Sequence, residues 1–179
     1  GNDSWELTAG DVFVIGGPRE HEYRDLVDLR LINILYQPNQ LKMGLMDLPS
    51  VAGYHALFTL EPSWRTRQPI KGKLHLTSKD LAQVIELTDR LEVELKSREP
   101  GFGFMATASF MLIIGLLSRC YGRSPSPDGR ALLRIGEALS HLERNIHRDI
   151  DLEELASIAH MSQRSFLRVF QSAVGTSPL

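Results

Sequence analysis

The sequence predicts an α+β chain: a β-rich front half, then a helical hairpin, a linker and a helix-turn-helix helical domain. Three observations carry that prediction. Apolar residues come in short strand-like runs up to about residue 76 and recur at a helical period from Ser78 onward. A Ser-Pro-Ser-Pro-Asp-Gly stretch at residues 124–129 separates two helical patterns. The C-terminal residues 150–179 hold two short amphipathic patterns around a break at His160, Met161 and Ser162.

Residues 1–76 form the β part. Trp5, Glu6 and Leu7 lead into a Gly10-Asp11 turn, followed by Val12, Phe13, Val14 and Ile15. Gly16, Gly17 and Pro18 break this run. Residues 29–36 (LRLINILY) are rich in branched and aromatic side chains and read as the next strand, which Pro38 ends. Residues 53–58 read as another strand before a loop at Glu61-Pro62, and Leu74, His75 and Leu76 as a last short one. Short strands at this spacing predict a small barrel or sandwich. His55 and His75 lack metal-ligand spacing and read as loop or surface residues.

Residues 78–122 form the hairpin. Ser78 is placed to cap a helix anchored by Leu81, Val84, Ile85, Leu87, Leu91 and Leu95. Pro100-Gly101 ends it, and a second helix is predicted over 104–121. The hairpin has more apolar surface than one thin sheet covers, so part of it faces either a partner subunit, which would make the chain a homodimer, or its own barrel. Residues 123–130 read as the linker. Residues 131–179 then open with one long helix marked by Leu132, Ile135, Leu139, Leu142 and Ile146, which would pack on the helix-turn-helix.

In that last motif Asp151 is an N-cap with Glu154 three residues on, a capping-box-like pair. Leu152, Leu155, Ala156 and Ala159 make one apolar face. Ser162 caps the next helix, where Phe166, Val169, Phe170 and Ala173 mark the buried face, and Gly175 and Pro178 stop it. The outward face carries Gln163, Arg164, Leu167, Arg168 and Gln171. Arginine suits bidentate contact with guanine, glutamine suits adenine, and an exposed leucine meets a thymine methyl. The alternative is a helical hairpin with a merely solvated polar face.

Charge and cysteine content narrow the function. The formal net charge is −2, and residues 131–179 carry five Arg, no Lys and six acids. Non-specific attraction to phosphates is therefore weak, and a second module or dimerisation is needed for tight binding. The single Cys120 excludes an intramolecular disulfide and reads as a small buried hydrophobe. No signal peptide opens the chain, and residues 104–117 are too short and too rich in Ser, Thr and Gly to span a bilayer. A cytoplasmic protein without a membrane partner is the expectation. The opening Gly and the immediate strand-like pattern also predict a segment cut from a longer protein.

Residues 159–178 (AHMSQRSFLRVFQSAVGTSP) resemble the first helix-turn-helix of the AraC/XylS family of bacterial transcription regulators. The shared features are the Met161-Ser162 turn, Phe166, Arg168, Phe170 and the Gly175-Thr176-Ser177-Pro178 exit. The resemblance implies double-stranded DNA as partner, with Arg164, Leu167 and Arg168 reading base edges and Ser162 and Gln163 at the rim of the contact. His160 stands at a turn position that many such motifs give to Gly. Residues 10–21 (GDVFVIGGPREH) resemble the second motif of the cupin barrel, which would make residues 1–76 the C-terminal part of a cupin-like ligand-sensing barrel.

A barrel ahead of a helix-turn-helix is the AraC-type arrangement of sensor and reader, and the family commonly binds a small effector, often a sugar. Candidate ligand-binding residues are His21, Tyr23, Arg30 and Tyr36, with Asn33 considered beside them. Arg30 and Tyr36 share one strand face and Asn33 the other, so which face lines the pocket stays open. The stretch from His21 to the Leu-Glu-Pro-Ser-Trp-Arg run at 60–65 is similar to rhamnose-responsive members of the family. His21 alone reads as a polar barrel residue rather than a metal ligand, so no metal, no cofactor and no catalytic residue is assigned. The expected function is a ligand-responsive, DNA-binding regulator of sugar-metabolism genes, not an enzyme. The alternative is a cupin-fold metal-dependent enzyme, such as a sugar isomerase, with a helical appendage.

Overall fold

A computed structural model describes residues 6–16, 21–41, 44–60, 74–123 and 127–178. It is α+β, with a small sheet and a larger helical part. The sheet is a single antiparallel pair among the described residues. In it β1 (Asp11–Val12) lies against β2 (Leu74–His75), with Asp11 opposite His75 and Val12 opposite Leu74. The Leu76 amide extends the pairing by donating to the Gly10 carbonyl at 2.9 Å. Asp11 and His75 also meet through their side chains, Oδ1 to Nδ1 at 2.8 Å.

Two expected strands are absent. Residues 29–36 have no regular pairing and are exposed apart from the half-buried Ile34. A strand is stable only beside another strand, and among the described residues none pairs with this run. The 53–58 run is helical. A short helix α1 (Ala52–Tyr54) continues as a π-helical segment His55–Leu60. Its Ala56, Leu57 and Leu60 are fully buried, a helical rather than an alternating pattern. His55, expected at the surface, is buried with its Nε2 2.8 Å from the Pro49 carbonyl, and burial lowers its pKa.

The helix α2 (Ser78–Ser97) starts one residue earlier than the expected cap implies. Thr77, not Ser78, is the N-cap, and its Oγ1 accepts from the Asp80 amide at 3.2 Å. The helix stops at Arg98, whose φ of 51° is left-handed. A four-residue connection then leads into α3 (Phe102–Arg123), which packs back along α2. The 22 residues of α3 exceed the predicted 104–121 and are long and apolar enough to cross a membrane by length and composition alone. In this fold its Ala106, Phe110, Ile113, Ile114, Leu117 and Tyr121 pack into the core.

The helix α4 (Pro127–Arg144) begins inside the stretch read as linker. It buries Leu132, Ile135 and Ala138, but ends two residues before Ile146, which is therefore exposed rather than on the apolar face. The α1 segment is wedged between α3 and α4. At Gly53 an added Cβ would stand 2.0 Å from the Ser118 carbonyl oxygen of α3, and at Gly136 of α4 it would stand 2.4 Å from the Ala52 carbonyl oxygen. Only glycine permits backbones this close. The same core cluster runs on into the two C-terminal helices, α5 (Leu152–Ile158) and α6 (Gln163–Val174).

Candidate nucleic-acid interface

The α5–turn–α6 unit is built by caps and by one buried seam. Asp151 Oδ1 accepts from the Glu154 amide at 2.7 Å, which starts α5 as the sequence predicts. The reciprocal half of a capping box is missing. Glu154 instead turns toward the end of α4, where Arg148 Nη1 donates to its Oε2 at 2.8 Å and His141 Nε2 lies 2.7 Å from its Oε1. The hydrogen bonds from Arg148, aided by His141, hold the Glu154 carboxyl at about 2. This contact ties α5 to the helix before it.

Leu155, Ala156 and Ala159 bury one face of α5. The chain then turns at His160, whose φ of 52° is left-handed, so the position usually given to Gly demands here the conformation that Gly adopts most easily. The Met161 amide donates to the Ala156 carbonyl at 2.9 Å and closes the turn. Ser162 Oγ accepts from the Ser165 amide at 3.3 Å and contacts Ser165 Oγ at 3.0 Å, so this side chain is engaged as the N-cap of α6. Phe166, Phe170 and Ala173 lock the inner face of α6, with the two rings 5.4 Å apart.

The outer face of α6 presents Gln163, Arg164, Arg168 and Gln171 to solvent. Arg164 and Arg168 lie one turn apart, and neither has an acidic partner among the described residues. They form a cationic stripe with free guanidinium donors. Leu167 differs from the expectation of full exposure: it is half-buried at the edge of the seam.

The candidate ligand-binding residues are not gathered around one cavity. His21 and Tyr23 meet edge to face at 5.8 Å, both exposed. Arg30 is exposed. Tyr36 packs on Phe110 of α3 at 4.8 Å, and partial burial raises its hydroxyl pKa. None of the four lines the open cleft of about 620 Å³ that lies between α1, α2, α3 and α4. Sequence reasoning missed that cleft. Its key ion pair, Arg123 Nη2 to Asp80 Oδ1 at 2.8 Å, joins residues 43 positions apart and has no local signal. Among the described residues no group of three or more His, Cys, Asp or Glu is placed to hold a metal. Cys120 is buried, as expected, and burial raises its thiol pKa.

No model of a known protein family matches the chain, and no solved structure matches it. Curated sequences do. The HTH-type transcriptional activator RhaR of Escherichia coli (strain K12) is 27% identical over 172 residues, covering 96% of this chain and 57% of the relative. RhaR of Shigella flexneri shows the same identity and coverage, and RhaR of Shigella dysenteriae serotype 1 is 26% identical over the same length. The chain thus spans a little over half the length of the curated relatives it matches. By this homology, which runs through nearly all of its residues and agrees with the resemblance carried by residues 159–178, the chain is similar to HTH-type transcriptional activators.

Proposed function

We propose that the chain is the part of a ligand-responsive, DNA-binding transcription regulator that holds the end of its sensor, its dimer hairpin and the first half of its reader. The observation that carries this reading is α6. Its inner face is fixed by Phe166, Phe170 and Ala173, while Arg164 and Arg168 stand outward without acidic partners among the described residues. A helix held this way presents its side chains to the major groove at a set angle, with arginines suited to guanine edges. Leu167 contributes its exposed part to a thymine methyl. Gln163 extends the contact, and Ser162 frames it as the helix cap.

Homology to transcriptional activators supports this assignment over the metal-enzyme alternative. Within the scheme, residues 1–76 belong to a cupin-like sensor for a sugar, with His21, Tyr23, Arg30 and Tyr36 as its polar and aromatic contacts. Residues 78–122 dimerise, 123–130 connect, and 131–179 begin the DNA-binding domain of a cytoplasmic homodimer. Exposed Ile85, Val93 and Leu95 of α2 and Phe104, Met105 and Leu112 of α3 support the dimer reading, because such apolar surface favours a covering partner.

The test uses the full-length protein and its operator. Arg164→Ala and Arg168→Ala should each weaken specific binding by about 1–3 kcal/mol in fluorescence anisotropy titrations at fixed salt. Operator affinity unchanged in both variants would refute the assignment.

A further inference from the structure

The cleft between the hairpin, α1 and α4 has a volume of about 620 Å³, within the span of about 300–1,000 Å³ seen for small-molecule sites. It is separate from the sensing residues named above, since none of them lines it. Its charges sort into two sets. Arg123 is engaged by Asp80, and Asp80 is in turn held by the Thr77 hydroxyl at 2.8 Å. These contacts, Thr77 first, keep the Asp80 carboxyl below the usual carboxylate range, so this pair stays ionised and fixed. Lys79 near the start of α2 and Arg119 near the end of α3 form the other set. Neither has a hydrogen-bond or ion-pair partner among the described residues. Glu137 of α4 lines the same cleft, also without such a partner. Leu116 and Leu133 supply apolar wall.

We infer that this cleft binds a small carboxylate that also carries a hydrogen-bond donor and a short aliphatic body, that is, a hydroxy acid or an amino acid. Lys79 and Arg119 are the charge-assisted donors for its carboxylate. Glu137 accepts from its hydroxyl or ammonium group and repels a second negative charge, which disfavours phosphate and dicarboxylates. Leu116 and Leu133 receive the aliphatic body. A ligand seated this way touches α2 and α3 on one side and α4 on the other.

Isothermal titration of the full-length protein tests this with a matched set of probes: leucine, 2-hydroxy-4-methylpentanoate, 4-methylpentanoate, leucinamide and inorganic phosphate. One of the first two should bind saturably with Kd below about 1 mM. The better of them identifies the donor as ammonium or hydroxyl. Removing the donor, as in 4-methylpentanoate, should weaken binding about tenfold or more, and leucinamide and phosphate should not bind. The Lys79→Gln/Arg119→Gln double variant should also lose at least about tenfold in affinity. Lys79 and Arg119 are exposed and Glu137 is half-exposed, and an unchanged circular dichroism melt verifies that the variants fold. Glu137→Gln should abolish the preference over 4-methylpentanoate. Absence of saturable binding by both donor-bearing carboxylates overturns the inference, as does leucinamide binding as tightly as leucine. Unaltered affinity in the double variant, or a Glu137→Gln variant that keeps the preference, overturns it equally.

Discussion

Replacing Gly53 by Ala tests the wedge that holds the α1 segment between α3 and α4. The new Cβ would stand 2.0 Å from the Ser118 carbonyl oxygen and 3.1 Å from the Gly122 amide nitrogen. Both neighbours are backbone, so no side chain can swing away. Relief requires the α1 segment or α3 to move by about 1 Å, in a core that is packed at near-crystalline density. Overpacking of this kind costs about 1–3 kcal/mol, and the absence of a flexible neighbour puts Gly53→Ala near the upper end. Gly136→Ala meets the Ala52 carbonyl oxygen at 2.4 Å from the opposite side and should cost about 2 kcal/mol. The displacement that relieves one clash drives the segment into the other. The double variant should therefore exceed the sum of the single effects by about 0.5 kcal/mol or more. Urea unfolding followed by circular dichroism reads these values as shifts in midpoint at constant slope. A Gly53→Ala variant within about 0.5 kcal/mol of the parent, the range of an ordinary surface change, would refute the reasoning.

Other expectations concern the C-terminal helices. Phe166→Ala should destabilise the chain by about 3–5 kcal/mol, because the ring is fully buried between α5 and α6; a denaturation midpoint close to the parent's would count against the seam. His160→Gly should relieve the left-handed strain of about 1–2 kcal/mol but add unfolded-state entropy, leaving a net gain of about 0.5–1 kcal/mol in the same assay, whereas His160→Val should lose stability. The Glu154 carboxyl sits at about 2 against an ordinary value of 4.5. Its folded value is depressed, so its contribution is present above about pH 4.5 and is lost as pH falls toward 2. The melting temperature of the parent should thus exceed that of Glu154→Gln at pH 7 and converge on it between pH 4.5 and 2; a pH-independent difference would exclude the Arg148 and His141 contacts as the cause.

What could be read from the sequence was local. The hairpin helices, the Asp151 and Ser162 caps and the buried series of Phe166, Phe170 and Ala173 all follow from periodicity and capping within one turn. The 53–58 run is a short apolar stretch with no decisive period, so its composition does not separate strand from helix. Its helical form comes with the docking of Gly53 on α3 and the apposition of Gly136 on its other side, neither visible locally. The 29–36 run has strand composition, but a strand also needs a paired neighbour. The long helix agrees with its periodicity in the middle but starts earlier, because Pro127 can start a helix as readily as it can break one, and it ends before Ile146. For the site, the outward arginines of α6 were legible, while the engagement of Ser162 as a cap and the half-burial of Leu167 depend on tertiary packing. The cleft was beyond sequence reading, since Lys79, Arg119 and Glu137 belong to three different helices.

The division of α6 into a locked side and a solvent side bears on how the protein can change over evolutionary time. The buried series is held by α5, the turn and α4, so substitutions there act on folding. Gln163, Arg164, Arg168 and Gln171 are exposed and lie off the seam, and surface changes at such positions usually stay within about 0.5 kcal/mol. Selection can therefore rewrite the outer side of this helix in single steps, testing one new surface chemistry after another on a scaffold whose stability scarcely registers the change.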